Sequence, residues 1–245
     1  MHSAETVSLV FDLVGRGLND CEIARMTGVP RSTVRDWRVG KVPMRAAGHC
    51  EICAGKSLDA PGAAYAYLLG MYLGDGCISR HPRAYRLRIT LDSRYPAIVR
   101  ECAAAMRRVR PNQRVRIGRH SRDRRCIEVS MYYGHWPCLF PQHGPGRKHL
   151  RRIELAGWQS EIVERHRKAM IRGLLHSDGC RVVANDRGVK SVRYHFSNLS
   201  KGIQKIYRES LDDLEIPWTQ PSHRDIAVYR KAATALLDEF VGPKR

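Results

Sequence analysis

The sequence predicts an α+β protein in which a small three-helix unit precedes a larger body built from two similar repeats. Three observations predict this class. Apolar residues recur at helical spacing in residues 5–38, a nine-residue pattern occurs twice, at 68–76 and 171–179, and alternating apolar and polar residues follow each copy. The chain has 245 residues, which is enough for one mid-sized domain and a small one, and 43% of them are apolar.

The net charge of the chain indicates which class of molecule the protein binds. The formal net charge is +19, and a surface this basic repels itself unless an acidic partner neutralises it. Nucleic acid is the usual partner, because Lys and Arg displace condensed counterions from phosphates. The longest apolar stretch, Ala63 to Gly74, is too short to span a bilayer. With no signal peptide evident, we expect a cytoplasmic protein that does not enter membranes and whose eight cysteines are reduced thiols.

Residues 1–42 are predicted to form a helix-turn-helix domain. Helical spacing predicts a helix over 5–16, Asn19 or Asp20 can cap a second helix, and residues 27–30 form a tight turn before a third. The polar face of that third helix carries Arg31, Ser32, Arg35 and Arg38. The segment resembles the helix-turn-helix of resolvase-type and other bacterial DNA-binding proteins, whose second motif helix enters the major groove. A three-helix bundle used for protein contacts is the alternative.

Residues 43–62 are rich in Gly, Pro and Ala and are predicted to be a linker. The linker contains His49, Cys50 and Cys53. A structural zinc site usually needs four ligands, and a histidine next to Cys50 is poorly placed to bind the same ion. Zinc bound at Cys50 and Cys53 is therefore one alternative, and two unligated cysteines are the other.

The repeated pattern is the most informative feature of the chain. Residues 68–76 read LLGMYLGDG and residues 171–179 read IRGLLHSDG. Each copy combines an apolar helical run, a glycine five residues before an aspartate, and a second glycine directly after it. The pattern resembles the LAGLIDADG motif of homing endonucleases, and the resemblance extends over about residues 63–241.

That resemblance implies a particular architecture and activity. Residues 63–145 and 146–245 would form two αββαββα repeats related by a pseudo-twofold axis, with a saddle-shaped antiparallel sheet. In the family, the concave face of the saddle lies in the major groove of double-stranded DNA. Because both repeats lie in one chain, we expect a monomer to build both half-sites.

The spacing of small residues in the motif predicts close packing of its two helices. Small residues four apart share one helix face and let two backbones approach. They are Gly70 and Gly74 in the first copy and Gly173 and Ser177 in the second. Asp75 and Asp178 would then stand side by side at the helix ends, where the helix dipoles and their mutual repulsion disfavour them.

A divalent cation removes both problems, so we expect Asp75 and Asp178 to bind Mg²⁺ or Mn²⁺ and to be catalytic. The backbone carbonyls of Gly74 and Ser177 are further candidate ligands. The alternative is that each aspartate is a turn residue with a local hydrogen bond.

Alternating strands follow each motif copy and carry basic side chains on one face. The residues expected to contact DNA are Arg86, Arg88, Arg114 and Arg116 in the first repeat and Arg193 and His195 in the second. Lys190, just before the strand of the second repeat, is expected to stabilise charge on a phosphate at the cleavage site. Further helices are predicted at about 94–109, 200–213 and 229–240.

These expectations point to a site-specific, metal-dependent endonuclease acting on double-stranded DNA. Two alternatives stay open. The first is a DNA-binding transcription regulator that uses the same scaffold without cleavage. The second is an RNA-binding cofactor for intron splicing, which a helix-turn-helix makes less suitable.

Overall fold

The computed structural model describes residues 4–40, 62–121 and 123–245. It combines helices with antiparallel strands, so the predicted α+β class is confirmed. The chain divides into two compact units, Met1–Ser57 and Leu58–Arg245. The proposed zinc ligands Cys50 and Cys53 lie outside the described residues. No helix in the described ranges is long and apolar enough to cross a bilayer.

The N-terminal unit contains three helices, α1 (Ala4–Gly15), α2 (Asp20–Thr27) and α3 (Arg31–Arg38). Asn19 begins α2 through a capping box, because its side chain accepts hydrogen bonds from the amides of Cys21 and Glu22 while the Glu22 carboxylate accepts from the Asn19 amide. Gly28 ends α2 in the left-handed conformation, with φ of 69°. The buried residues of this unit are Val7, Val10, Leu13, Ile23, Val29, Val34 and Trp37.

The first repeat of the larger unit has the predicted order of elements. Its elements are α4 (Gly62–Asp75), β1 (Gly76–Arg80), β2 (Tyr85–Asp92), α5 (Pro96–Val109), β3 (Val115–Arg119), β4 (Cys126–Tyr133) and α6 (Trp136–Leu139). The four strands form an antiparallel sheet in the order β1-β2-β4-β3. Leu87, Ile89 and Leu91 are buried on one face of β2, as their alternation predicts.

Strand β3 departs from that pattern. Val115 is half-buried, but Ile117 is 49% exposed, because β3 lies at the edge of its sheet. Arg114 lies just before the strand and is exposed.

The sheet of the second repeat has three described strands, one fewer than the sheet of the first repeat. Its elements are α7 (Gly157–Arg165), α8 (Arg167–Asp178), β5 (Gly179–Asp186), β6 (Val189–Ser197), α9 (Lys201–Asp212), β7 (Asp225–Val228) and α10 (Lys231–Phe240). The sheet order is β5-β6-β7, and only an isolated bridge between Thr219 and Ala227 stands where a fourth strand is expected. Pro217 and Pro221 flank Thr219, and proline cannot donate to a strand ladder.

The two motif helices, α4 and α8, pack against each other through their small residues. A Cβ built on Gly70 would lie 2.7 Å from the Met170 carbonyl oxygen and 2.7 Å from the Leu174 amide nitrogen. A Cβ on Gly173 would lie 2.2 Å from the Tyr67 carbonyl oxygen and 3.1 Å from the Gly70 Cα. Backbone therefore meets backbone at this crossing, as the small-residue spacing predicts.

Gly173→Ala should destabilise the larger unit by about 2–3 kcal/mol, because the new methyl group collides with rigid backbone rather than with a movable side chain. Gly157→Ala is the matched control, since Gly157 also lies in a helix but has no atom within 4 Å of a built Cβ. Chemical denaturation of both variants measures the difference. Equal stability of the two variants would contradict the packing described for Gly173.

Candidate active site

Asp75 and Asp178 end α4 and α8, and the helix crossing brings these ends together. A Cβ built on Gly74 would lie 3.0 Å from the Asp178 Cγ and 2.2 Å from the Ser177 Oγ, so the Asp178 carboxyl group rests against the end of α4. The structure thus brings together the two aspartates predicted from the repeat.

The electrostatics of the pair are unfavourable in the absence of a cation. Burial of the carboxyl group, and then the nearby Asp178, raise the pKa of Asp75 to about 6, although Asp75 as a whole residue is exposed and water therefore screens part of this effect. Burial also raises the pKa of Asp178, against the opposing effect of the Asn198 side-chain amide, which donates to the Asp178 Oδ2 at 2.6 Å. This donor lies 20 positions along the chain from Asp178, so it is not a local turn hydrogen bond, and it does not restore the ordinary pKa of Asp178.

Two lysines stand beside the pair, one at each helix end. The Lys148 Nζ donates to the carbonyl oxygens of Tyr72 and, at 2.8 Å, Gly74. The Lys244 Nζ donates to the carbonyl oxygens of His176 at 2.8 Å and Ser177 at 3.4 Å. An ammonium group is favourable at a helix C-terminus, where carbonyls lack intrahelical partners and the dipole is negative.

The two lysines occupy equivalent places in the two repeats. Lys148 follows β4 and α6, and Lys244 follows β7 and α10. Neither lysine belongs to the set predicted from the sequence. The available signal was positional, since each lysine lies shortly beyond the last helix of its repeat.

Burial lowers the pKa of both lysines, whereas it raises the pKa of both aspartates. It lowers the pKa of Lys148 to about 8, although Asp178 and Asp75 oppose the shift. It lowers the pKa of Lys244 as well, against the opposing effects of Asp75 and Asp178. Two carboxylates and two ammonium groups therefore share a partly dry site in which each depends on the others for charge compensation.

The donor atoms fit a hard divalent cation. Two carboxylates with adjacent carbonyl oxygens form an all-oxygen set, which suits Mg²⁺ or Mn²⁺. No cluster of three or more His, Cys, Asp or Glu side chains occurs within the described ranges, so phosphate oxygens and water would complete the coordination. The carbonyls of Gly74 and Ser177, predicted as ligands, each accept a hydrogen bond from lysine, which leaves one lone pair on each oxygen for a metal.

A cavity of about 430 Å³ opens beside Asp178 and Lys148. One wall comes from the motif region, with Gly74 and Cys77, and another from residues 197–199. The remaining wall is the basic segment that contributes His143, Arg147, Lys148, His149 and Arg151. The positive charge of this basic segment suits a phosphate group of a nucleic acid.

Lys190 does not reach this site, which corrects the catalytic role predicted for it. Lys190 pairs with Asn185 near the tip of the β5–β6 hairpin, whereas Phe196 pairs with Gly179 beside Asp178. Lys190 and Phe196 are separated by six positions, which correspond to roughly 20 Å of strand at about 3.3 Å per residue. Lys148 and Lys244 are the lysines that lie next to the aspartates.

The outer face of the first sheet carries the predicted arginines. Strand register places Arg86, Arg88 and Arg116 on one face, with Glu128 and Tyr132 between them. Arg86 donates to the Glu128 carboxylate, and Arg88 Nη1 lies 3.6 Å from it. Arg86 and Arg116 each place a guanidinium 5.6 Å from the centre of the Tyr132 ring. Glu128 and Tyr132 therefore order this basic surface.

The second sheet repeats this arrangement with fewer charges. Arg193 and His195 share the outer face of β6. The Arg193 guanidinium and the His195 ring each lie 5.6 Å from the Tyr229 ring centre. Arg193 also pairs with Asp186, so the positive charge of Arg193 is locally compensated.

In the N-terminal unit, all four predicted contact residues on α3 are exposed, namely Arg31, Ser32, Arg35 and Arg38. Arg38 is held differently. Its Nε donates to the Asp20 Oδ1 at 2.8 Å and its Nη2 donates to the Leu18 carbonyl oxygen at 2.7 Å. Arg38 therefore braces α3 against the start of α2.

No protein-family model matches the chain, and no curated protein matches it. Variants of the homing endonuclease I-DmoI are similar in structure, with a TM-score of 0.49 and 19% identity over 74% of this chain and 96% of theirs. I-DmoI in complex with DNA and Ca gives 0.49 and 20% over 74% and 89%. The N-terminal LAGLIDADG domain of DUF199/WhiA gives 0.48 and 17% over 75% and 84%.

At these values the similarities assign no activity to this chain. The elements of the larger unit agree with the fold expected from the repeat, because two motif helices cross at their small residues and an antiparallel sheet follows each of them.

The raised pKa of Asp75 gives a testable pH dependence. The shift from 3.8 to about 6 means that the folded state holds this proton more tightly than the unfolded chain. The associated stability is present below pH 3.8 and is lost as the pH rises through about 6. Without added metal, Asp75→Asn should therefore stabilise the protein at pH 7.5 by about 1 kcal/mol, since solvent contact reduces the full effect.

Denaturant unfolding at pH 4, 6 and 7.5 measures this effect. Glu209→Gln, which changes an exposed carboxylate on α9, is the control and should leave the pH dependence unchanged. An Asp75→Asn variant that follows the wild-type pH profile would show that Asp75 is not under electrostatic strain.

Proposed function

We propose that this protein is an endonuclease that cuts double-stranded DNA with the help of a divalent metal ion. The observation that carries the proposal is the pair of adjacent carboxylates, Asp75 and Asp178, flanked by Lys148 and Lys244. Packing alone gives no reason to place two like charges at the negative ends of two helices. A site that binds a cation and a phosphate gives a reason for this placement.

In this proposal Asp75 and Asp178 hold the metal, which when bound activates water and stabilises the leaving oxygen of a phosphodiester. Lys148 and Lys244 place their Nζ donors beside the carboxylates, where each can bind an oxygen of the phosphate cut on one of the two DNA strands and stabilise its developing negative charge. A pKa of about 8 keeps Lys148 largely protonated at neutral pH and so able to donate. These lysines take the role that the sequence suggested for Lys190.

DNA binding is assigned to the basic outer faces of the two sheets. Arg86, Arg88 and Arg116 in one repeat, and Arg193 and His195 in the other, suit a curved surface applied to the major groove. In the N-terminal unit, the exposed face of α3 would contact a second stretch of the duplex. Because each repeat supplies one half of the surface, a monomer is sufficient.

A DNA-binding regulator without cleavage is the second candidate. One observation favours it, because Lys148 and Lys244 compensate the two aspartates and satisfy the helix-end carbonyls without any metal. The centre is thus able to persist as a purely structural charge cluster.

Asp75→Asn and Asp178→Asn should each reduce Mg²⁺- or Mn²⁺-dependent cleavage by at least about a hundredfold, because each removes a carboxylate from the shared centre. Binding to the same DNA should persist, since the strand faces supply the contacts. The experiment selects a target from a plasmid library and measures nicking and binding for each variant, with Glu154→Gln, an exposed carboxylate, as the control.

Two outcomes would decide against the enzyme. If both asparagine variants cut like the wild type, the aspartates are not catalytic. If the wild type cuts none of the sites that it binds tightly, the regulator is the correct function.

The net charge of +19 also predicts that binding is dominated by phosphate contacts. If six or more phosphates are neutralised, affinity for duplex DNA should fall about a thousandfold or more between 50 and 200 mM salt. Fluorescence anisotropy at a series of salt concentrations measures the slope. An affinity that does not change with salt concentration would show that the positive charge of the protein does not serve to bind DNA.

A further inference from the structure

The second motif copy has polar side chains at two positions where the first copy has buried leucines. Arg172 stands where the first copy has Leu69, and His176 stands where it has Leu73. Leu69 and Leu73 are fully buried in α4, so polar groups at the equivalent positions of α8 need hydrogen-bond partners. Their partners show what the substitutions do.

Arg172 uses its guanidinium to join three elements. Its Nε and Nη2 donate to the two carboxylate oxygens of Glu101 on α5, at 2.6 and 2.7 Å. Its Nη1 donates to the carbonyl oxygens of Phe240 and, at 2.9 Å, Val241. These carbonyls end α10, where they lack intrahelical partners. Arg172 therefore ties α8 to α5 and to the end of α10.

The chain beyond α10 is held at both ends. Gly242 adopts the left-handed conformation with φ of 67°, which turns the chain back toward α8. The Arg245 carbonyl oxygen then accepts a hydrogen bond from the Ala97 amide at 2.9 Å, at the start of α5. Lys244 lies between these two anchors, and this placement brings its Nζ to the His176 carbonyl oxygen at 2.8 Å.

His176 holds in place the part of α8 whose carbonyl accepts the hydrogen bond from Lys244. Its Nδ1 lies 3.0 Å from the Tyr67 hydroxyl oxygen of α4, and its ring is buried. The carbonyl that accepts from Lys244 is thus held by a side chain that spans the two motif helices.

We propose that Arg172, acting through Glu101 and the carbonyls at the end of α10, is the positioning residue that holds Lys244 at the second half of the catalytic centre. This inference rests on the proposed nuclease function. The first repeat has no equivalent clamp, because Leu69 replaces Arg172 and Lys148 is placed instead by the segment before α7, where the Arg151 Nη1 donates to the Gln142 carbonyl oxygen at 3.0 Å. Loss of the clamp should therefore impair the cutting of one DNA strand and spare the other.

The test compares four full-length variants on a target duplex whose two strands carry different labels. Lys244→Met identifies the strand that depends on Lys244, and Lys148→Met should slow the opposite strand. Arg172→Leu and Glu101→Gln should slow the same strand as Lys244→Met by about tenfold or more, so that nicked product accumulates, and should leave the other strand within about twofold of wild type.

Hydrogen exchange at the Ala97 amide gives a second readout that requires neither DNA nor metal. Arg172→Leu should raise this exchange rate by about tenfold or more, because the bond to the Arg245 carbonyl is lost when the segment detaches. Lys148→Met should leave the rate unchanged. Unchanged exchange in a folded Arg172→Leu protein would overturn the clamp.

The remaining outcomes separate the two levels of the proposal. If exchange rises but both strands slow equally, Arg172 is structural and the strand-specific role is wrong. If the wild type cuts neither strand, the proposed nuclease function fails and the strand-specific role falls with it, while the exchange rates still decide whether Arg172 holds the C-terminal segment.

Discussion

Everything in the candidate site depends on the contact between backbone and backbone where α4 crosses α8. At Gly70 and Gly173 there is no space for a side chain, so the distance between the two helices is set by main-chain atoms that cannot rearrange. Each helix ends five residues beyond its central glycine, at Asp75 and Asp178. The crossing therefore determines how close the carboxylates lie, and with it how strongly Asp178 raises the pKa of Asp75.

This constraint creates an electrostatic problem that the rest of the larger unit compensates. The helix ends expose carbonyls, the aspartates add negative charge, and burial weakens the screening by water. Lys148 and Lys244 compensate all three of these effects, since each ammonium group donates hydrogen bonds to helix-end carbonyls and lies near the carboxylates. The same arrangement suits a phosphate, because a polyanion with a bound cation can enter a site in which both signs of charge are already arranged.

The sequence was sufficient for features that depend on local pattern. The repeated motif predicted the paired helices, and the alternation in residues 85–91 predicted which face of β2 is buried, because both signals repeat at the period of their secondary structure. The lysines were not predictable in this way. Lys148 lies more than seventy positions from its carbonyl partners and Lys244 nearly as far from its own, so only the tertiary fold brings them together. The local charge of Lys190 was misleading for the same reason, as the strand carries it away from the helix ends.

The two repeats hold equivalent lysines by different means, and this difference explains why their sequences differ. In the first repeat Lys148 belongs to a segment that also lines a cavity, so placing the lysine and shaping the pocket are done by the same residues. In the second repeat Lys244 lies on a short segment after α10, which is anchored by Arg172 at its start and by the Ala97 amide at Arg245. An arginine in the buried motif helix is costly unless it is paired and fully hydrogen-bonded, and Glu101 with two carbonyl groups meets that requirement. Arg172 and His176, which depart from the apolar pattern of the motif, thus hold the ammonium group of Lys244 at the end of α8. In the first repeat the ammonium group of Lys148 is placed at the end of α4 by a segment outside the motif.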